Sequence, residues 1–181
     1  MKVDLSKYNN SFYNQGSFLK RTTWYFVNLF ILKSGIFPFY SLKTFLLRLF
    51  GAKIGKGVVI KPHVNIKYPW LLEINDYCWI GENVWIDNLD QVSIGSNVCV
   101  SQGALLLCGN HNFSKPQFDL IVKPIILEDG AWVVAMSVVC GGVTLHSHSV
   151  LSVSSVATSS LEAYGIYRGN PALKVKTRNI E

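Results

Sequence analysis

Acidic residues are almost missing from the first third of this chain. Residues 1–61 hold ten Lys/Arg against one acid, Asp4, a net of +9, whereas residues 62–181 hold seven bases and ten acids, a net of −3. The overall +6 therefore belongs to the N-terminal third, and any anionic partner has to be met there. Cysteine is sparse and scattered. Cys78, Cys99, Cys108 and Cys140 form no CxxC pair, which excludes the common zinc and dithiol motifs and leaves buried thiols of a reducing compartment. Long apolar runs are missing as well. The most apolar stretch, residues 24–32, is nine residues long and contains Asn28, well short of the roughly 20 needed to span a bilayer. The opening MKVDLSKYNN lacks the apolar run of a secretory signal, so a cytoplasmic location is expected. Charge is low at 15% and apolar content is 49%, which excludes a disordered chain and supplies a sizeable core.

What is abundant is aromatic, and it is concentrated. Thirteen of the 23 aromatic residues lie within residues 1–50. Two helix-like stretches stand out in this N-terminal segment, residues 1–53. One covers residues 18–33. The other covers residues 41–50, with Leu42, Phe45, Leu46 and Leu49 at helical spacing, Ser41 as N-cap and Gly51 as stop. Gly35 and Pro38 separate them. Bases interleaved with large apolar side chains, without a nucleic-acid motif, argue against nucleic acid. Two readings stay open: helices packed on the rest of the protein, or residues 17–50 in peripheral contact with an anionic membrane surface.

From residue 54 to 162 the pattern changes to a period of six. Ile54, Ile60 and Ile66 are six apart, as are Ile74, Ile80 and Ile86, and then Ile94, Val100 and Leu106. Two-residue slips separate these sets. The series resumes at Leu127, Val133, Val139, Leu145, Leu151 and Ala157, giving fifteen hexads in five sets of three. Position i+4 is usually small or apolar, and position i+1 is glycine at Gly55, Gly81 and Gly95, where the chain needs either positive φ or close packing. A helix cannot keep such residues on one face, because 3.6 does not divide six. Short strands bent at each hexad can. Three hexads close one triangular coil, and five stacked coils at about 4.8 Å make a prism roughly 24 Å tall. The expected architecture is mainly β, a parallel β-helix of about five coils over residues 54–162, with a loop protruding after coil three and a C-terminal tail over residues 163–181. The period stops for fifteen residues, 112–126, immediately after His111, and long excursions from a solenoid are usually functional.

The segments LLRLFGAKIG (46–55), YPWLLEI (68–74), WIGENVWIDNL (79–89), VSIGSNVCVSQGALLLCGNHNF (92–113), PIILEDGAW (124–132) and GNPALKVK (169–176) carry a resemblance. Together they resemble the hexapeptide-repeat acyltransferases, and within them the acetyltransferases assigned to colanic acid biosynthesis. The resemblance implies a left-handed β-helix and a homotrimer with active sites between neighbouring prisms. It further implies acetyl-CoA as donor, with no metal, and a sugar or lipid-linked oligosaccharide hydroxyl as acceptor. A small soluble acceptor, or an inactive β-helical scaffold, remains the alternative.

Candidate site residues follow. His111 occupies the family's catalytic histidine position, and an imidazole titrating near neutral pH suits a base for a hydroxyl proton. Asp87 and Asn88, one rung below, together with Asn110 and Phe113, are expected on the acceptor side. The resemblance maps the donor onto Ala135, Val153 and Thr158, with Trp132 beside it. Lys174, Lys176 and Arg178 in the tail would meet CoA phosphates. Cys108, three residues from His111, raises a covalent alternative. His146 and His148 with His111 raise a three-histidine metal alternative.

Overall fold

The computed structural model describes residues 2–181. The period of six becomes three parallel sheets facing one another as a triangular prism. The first face stacks Lys53–Ile54, Leu72–Ile74, Val92–Ile94, Ile125–Leu127 and Thr144–Leu145. The second stacks Val59–Ile60, Trp79–Ile80, Cys99–Val100, Trp132–Val133, Val150–Leu151 and Gly165–Gly169. The third stacks Asn65–Ile66, Trp85–Asp87, Leu105–Leu107, Val138–Cys140 and Val156–Ala157. The register steps by one full coil, as in Ile54 beside Ile74 beside Ile94. Five coils are complete. A sixth begins with Leu161, bridged to Leu145, and continues through Gly165–Gly169, so the solenoid runs one partial coil beyond the five expected. The apolar series had ended at Ala157, and the last coil is spelled without a further hexad.

Every i residue of the series from Ile60 to Ala157 is buried, and the i+4 residues Val58, Cys78, Val98, Ala131, Ser137 and Ser155 fill the corners between them. Each buried Ile, Leu or Val contributes about 1.5–3 kcal/mol relative to exposure. The i+1 glycines turn out to need space rather than positive φ. A Cβ at Gly81 would lie 2.6 Å from the Gln102 nitrogen, and one at Gly55 would lie 2.7 Å from the Asn75 carbonyl carbon. At the corners after the first and second faces the left-handed position is i+3, occupied by Gly57, Gly103 and Gly130 but also by His63, Tyr77, Asn83, Asn97, Met136, His148 and Ser154.

The lower end of the prism exposes strand carbonyls that no coil beneath can pair. The N-terminal helices cover them. Helix α1, Phe18–Val27, continues through a wider π turn, Asn28–Leu32, and helix α2 spans Tyr40–Leu49. Three donor groups reach the three faces. Arg48 donates to the carbonyls of Ile54 and Gly55 at 2.8–3.0 Å. Lys43, fully buried, donates to the carbonyls of Ile60 at 3.3 Å and Lys61 at 3.0 Å. The indole of Trp24 donates to the Ile66 carbonyl at 2.8 Å, and Asn28 bonds Asn65 at 2.7 Å. Burial holds the Lys43 ammonium below the ordinary lysine range. Among the described residues, no helix is long and apolar enough to cross a membrane.

The upper end is closed differently. Gly165–Gly169 turns through a cis Asn170–Pro171 bond into Ala172–Thr177, which returns antiparallel along the second face. Because Lys43 serves two carbonyls that have no other partner, Lys43→Ala should lower unfolding stability by about 2–3 kcal/mol, read as a drop in the urea midpoint. An unchanged midpoint would show that the lower edge does not depend on this cap.

Candidate active site

The interruption of the hexads forms a two-stranded ribbon. Gly109–His111 pairs antiparallel with Leu120–Val122, with His111 opposite Leu120. The tip closes through Asn112 N–H to the Asp119 carbonyl at 2.8 Å and an ion pair of Lys115 with Asp119 at 3.0 Å. The ribbon leaves the prism at the corner between the third and first faces, above coil three. Its base is tightly packed. A Cβ at Gly109 would lie 2.4 Å from Leu89 Cδ1 and 3.9 Å from Asp87 Oδ2.

His111 is partly exposed at the end of the first ribbon strand. Its Nδ1 lies 2.9 Å from the carbonyl oxygen of Phe118. A carbonyl only accepts, so Nδ1 carries the proton and Nε2 carries the free lone pair. The Phe118 ring stacks on the imidazole at 4.5 Å and 10°. Phe118 adopts φ of +56°, which costs a bulky residue energy and turns both its carbonyl and its ring onto His111. The arrangement holds one tautomer and one ring plane, with Nε2 left to act on a proton.

A third wall comes from a segment to which the sequence reading assigns no role. Asp4 N–H donates to the Pro116 carbonyl at 2.9 Å, and the Tyr8 ring approaches His111 with centroids 5.8 Å apart. The Tyr13 hydroxyl donates to the Leu89 carbonyl. Burial, then neighbouring Tyr68 and Asp90, push the Tyr13 phenol upward, so it stays a neutral donor. The clue available in the sequence is that Tyr8 and Tyr13 are aromatics lying outside both helical stretches.

The remaining candidates separate into groups. Asn110 is exposed and its side-chain oxygen accepts the His111 N–H at 2.7 Å. Phe113 is 79% exposed at the ribbon tip, free to contact another molecule. Asp87 is buried and ion-paired with Lys67 at 2.9 Å. Asn88 requires a correction. It is fully buried, and its side chain bonds Tyr68 N–H at 3.0 Å, Tyr68 carbonyl at 2.6 Å and Leu71 carbonyl at 3.2 Å. It pins the slip between coils one and two and has no group left for an acceptor.

Ala135 and Val153 stack on the corner between the second and third faces, with the Ala135 carbonyl accepting from Ser154 N–H at 3.0 Å. Thr158 is exposed on the corner that carries the ribbon, two coils higher. Trp132 lies on the second face with its indole donating to Ser101 at 2.9 Å. In the tail, Lys174 is ion-paired with Glu162 at 2.6 Å, and Arg178 donates to the carbonyls of Gly130 and His148 at 3.0 and 3.2 Å. Arg178 is thereby a cap of the coil corner rather than a free cation. Lys176 is exposed.

The covalent alternative loses its geometry, and the three histidines do not meet within one chain. Cys108 is buried, and burial pushes its thiol up to about 12, so almost no thiolate forms near neutral pH. His146 and His148 lie on the corner between the first and second faces, away from the ribbon. His146 bonds Glu128 at 2.9 Å, and His148 packs on Tyr164 with centroids 4.9 Å apart.

Comparison with known proteins agrees with the fold. The chain is 37% identical over 163 residues, 90% of each sequence, to WcaF of Escherichia coli K12, a protein assigned to acetyl transfer in colanic acid biosynthesis. The chain belongs to this acetyltransferase family. The Shigella flexneri WcaF matches it to the same extent. No family model matches. Among solved structures, a hexapeptide-repeat acetyltransferase of Vibrio cholerae superposes with a TM-score of 0.81 at 22% identity, covering 90% of this chain and 92% of that one. The same Vibrio protein complexed with acetyl-CoA gives 0.81 at 21% identity, covering 90% and 88%. A galactoside acetyltransferase in complex with coenzyme A gives 0.78 at 19% identity, covering 89% and 82%. At these identities the structural likeness is one of fold.

A neutral, buried thiol such as that of Cys108 is a poor nucleophile for acyl transfer. Cys108→Ala should therefore keep turnover within about threefold of wild type, assayed as thiol release from acetyl-CoA. Loss of turnover together with an acylated Cys108 in the wild type, seen by mass spectrometry, would restore the covalent route.

Proposed function

We propose that this acetyltransferase moves the acetyl group of acetyl-CoA onto a sugar hydroxyl during assembly of a surface polysaccharide, with His111 as general base. The observation that carries the reading is the tautomer of His111: Nδ1–H is fixed by the Phe118 carbonyl at 2.9 Å, and the lone pair of Nε2 is left free. Nε2 removes the proton of the acceptor hydroxyl as its oxygen attacks the thioester carbonyl carbon. The C–S bond breaks, and the imidazolium returns the proton to the departing CoA sulfur. Phe118 and Tyr8 flank the imidazole, Asn110 and Phe113 are the groups offered to the acceptor, and Asp87, buried and paired with Lys67, supports the base of the ribbon.

The reading includes a homotrimer. In one chain the donor candidates Ala135 and Val153 stand on a different corner from His111 and Thr158, separated by the width of the third face. Three prisms set corner to corner would bring the donor corner of one against the ribbon of the next, with Trp132, Lys174 and Lys176 at the donor side. It also includes attachment to the inner face of the plasma membrane. Phe18, Leu19, Phe26, Phe30, Phe45 and Leu49 are all more than half exposed on α1, the π turn and α2, in the segment that carries the +9 charge. The acceptor is then a lipid-linked sugar.

His111→Ala should lower turnover by about 10²–10⁴-fold with the fold intact by circular dichroism, and turnover at the wild-type rate would sink the assignment. Membrane attachment needs point substitutions, since deleting residues 1–52 would uncover the lower strand edge. Leu19→Ser, Phe30→Ser and Phe45→Ser together should reduce co-sedimentation with phosphatidylglycerol vesicles by at least about tenfold. Equal binding by the triple variant would refute it.

A further inference from the structure

Between α1 and the lower part of the third face lies a groove of about 590 Å³, within the size range of small-molecule sites. Three of its lining residues are cationic, Arg21, Lys33 and Lys67, and none is acidic. Its walls are aromatic, chiefly Phe18, Tyr25 and Trp85. Only one of the three cations is neutralised from outside: Lys67 meets Asp87 at 2.9 Å. Among the described residues neither Arg21 nor Lys33 has a carboxylate partner. Arg21 donates through Nη1 to the neutral Gln15, and its Nε–H is buried with no acceptor at all. Buried donors are normally satisfied, so this N–H, together with two uncompensated cations, marks a place for an anion. The aromatic walls mark a place for hydrocarbon.

The groove also points toward the site already described. Lys67 stands at its upper rim and holds Asp87, and Asp87 lies beneath Gly109, the first residue of the ribbon strand that ends in His111. Its lower rim is α1 and the π turn that continues it, which carry Leu19 and Phe30, 75% and 61% exposed. One end therefore opens onto an apolar basic surface, and the other approaches the base of the catalytic ribbon.

We infer that this groove binds the phosphorylated end of a lipid-anchored acceptor. Its phosphate or diphosphate would sit on Arg21, with Lys33, twelve residues farther along the same helical run, adding to the positive potential of the groove, and the first part of its hydrocarbon chain against Phe18, Tyr25 and Trp85, leaving the attached sugar directed up the third face toward His111. That the occupant is an acceptor rests on the sugar-acetylation reading. That it is an anionic amphiphile rests on the groove itself.

Farnesyl diphosphate is a suitable probe for calorimetry with the full-length protein. It should bind saturably, while inorganic diphosphate and farnesol each bind at least about tenfold more weakly, because each lacks one half of the recognised chemistry. The paired substitution Arg21→Gln with Lys33→Gln should weaken farnesyl diphosphate by at least about tenfold without lowering the melting temperature. His111→Ala should bind the probe as wild type does. Retained turnover in His111→Ala would remove His111 as the base and leave the binding site standing, whereas probe binding by a wild type that acetylates no lipid-linked sugar would remove the acceptor reading alone. No binding of farnesyl diphosphate, equal binding by the paired variant, or equal affinity for inorganic diphosphate would each overturn the groove. A change in oligomer mass on Trp85→Ser, with no probe binding by wild type, would also overturn it by showing a second copy seated there.

Discussion

The structure depends on one repeated interaction, the backbone hydrogen bond from each coil to the coil above. It fixes a separation of about 4.8 Å between rungs, which in turn forces side chains at equivalent positions to stack in columns. The inward columns become a dry apolar core, and the corners after the first and second faces must admit a left-handed residue in every coil. The same interaction creates a liability, since the first and last coils each present unpaired strand edges. Much of the chain outside the hexads serves to close them. Arg48, Lys43 and Trp24 end the lower faces with three different donors, and the antiparallel return through Ala172–Thr177, with Arg178 behind it, ends the upper one.

The N-terminal third therefore has two roles on two surfaces. Its inner surface is a cap, and a fully buried lysine there is tolerated because both of its acceptors would otherwise be orphaned. Its outer surface is apolar and basic, and between the two runs the groove of Arg21, Lys33 and Lys67. Residues 4–13 extend the same segment upward to the ribbon, so the beginning of the chain touches both the lower rung and the corner that carries His111.

The ribbon illustrates how a solenoid sets one side chain apart from its repeat. A histidine within a hexad would stack against its neighbours in the next coils. By suspending the repeat, the chain lifts His111 off the prism and lets a local carbonyl, that of Phe118, decide its tautomer. The positive φ of Phe118 is needed for this, and nothing in the spacing of the residues announces it.

Period-six spacing by itself determined the coils, the inward columns and the place of the break, because a six-residue apolar repeat has few other ways to bury one side. It also singled out His111, since a titratable residue at the edge of an interruption is visible in one dimension. Direction along the third dimension was not. Asn88 and Asp87 are neighbours in sequence, yet one turns inward to pin Tyr68 and the other lies beneath the ribbon. The sixth coil lacked an apolar signature because its strand is held by hydrogen bonds to Val150–Leu151 and by the returning strand. Only tertiary structure decided that Tyr8 meets His111, that Lys43 is a cap, and that three cations gather in one groove. Each joins residues distant along the chain, and contact between them depends on how separately folded segments are laid against one another.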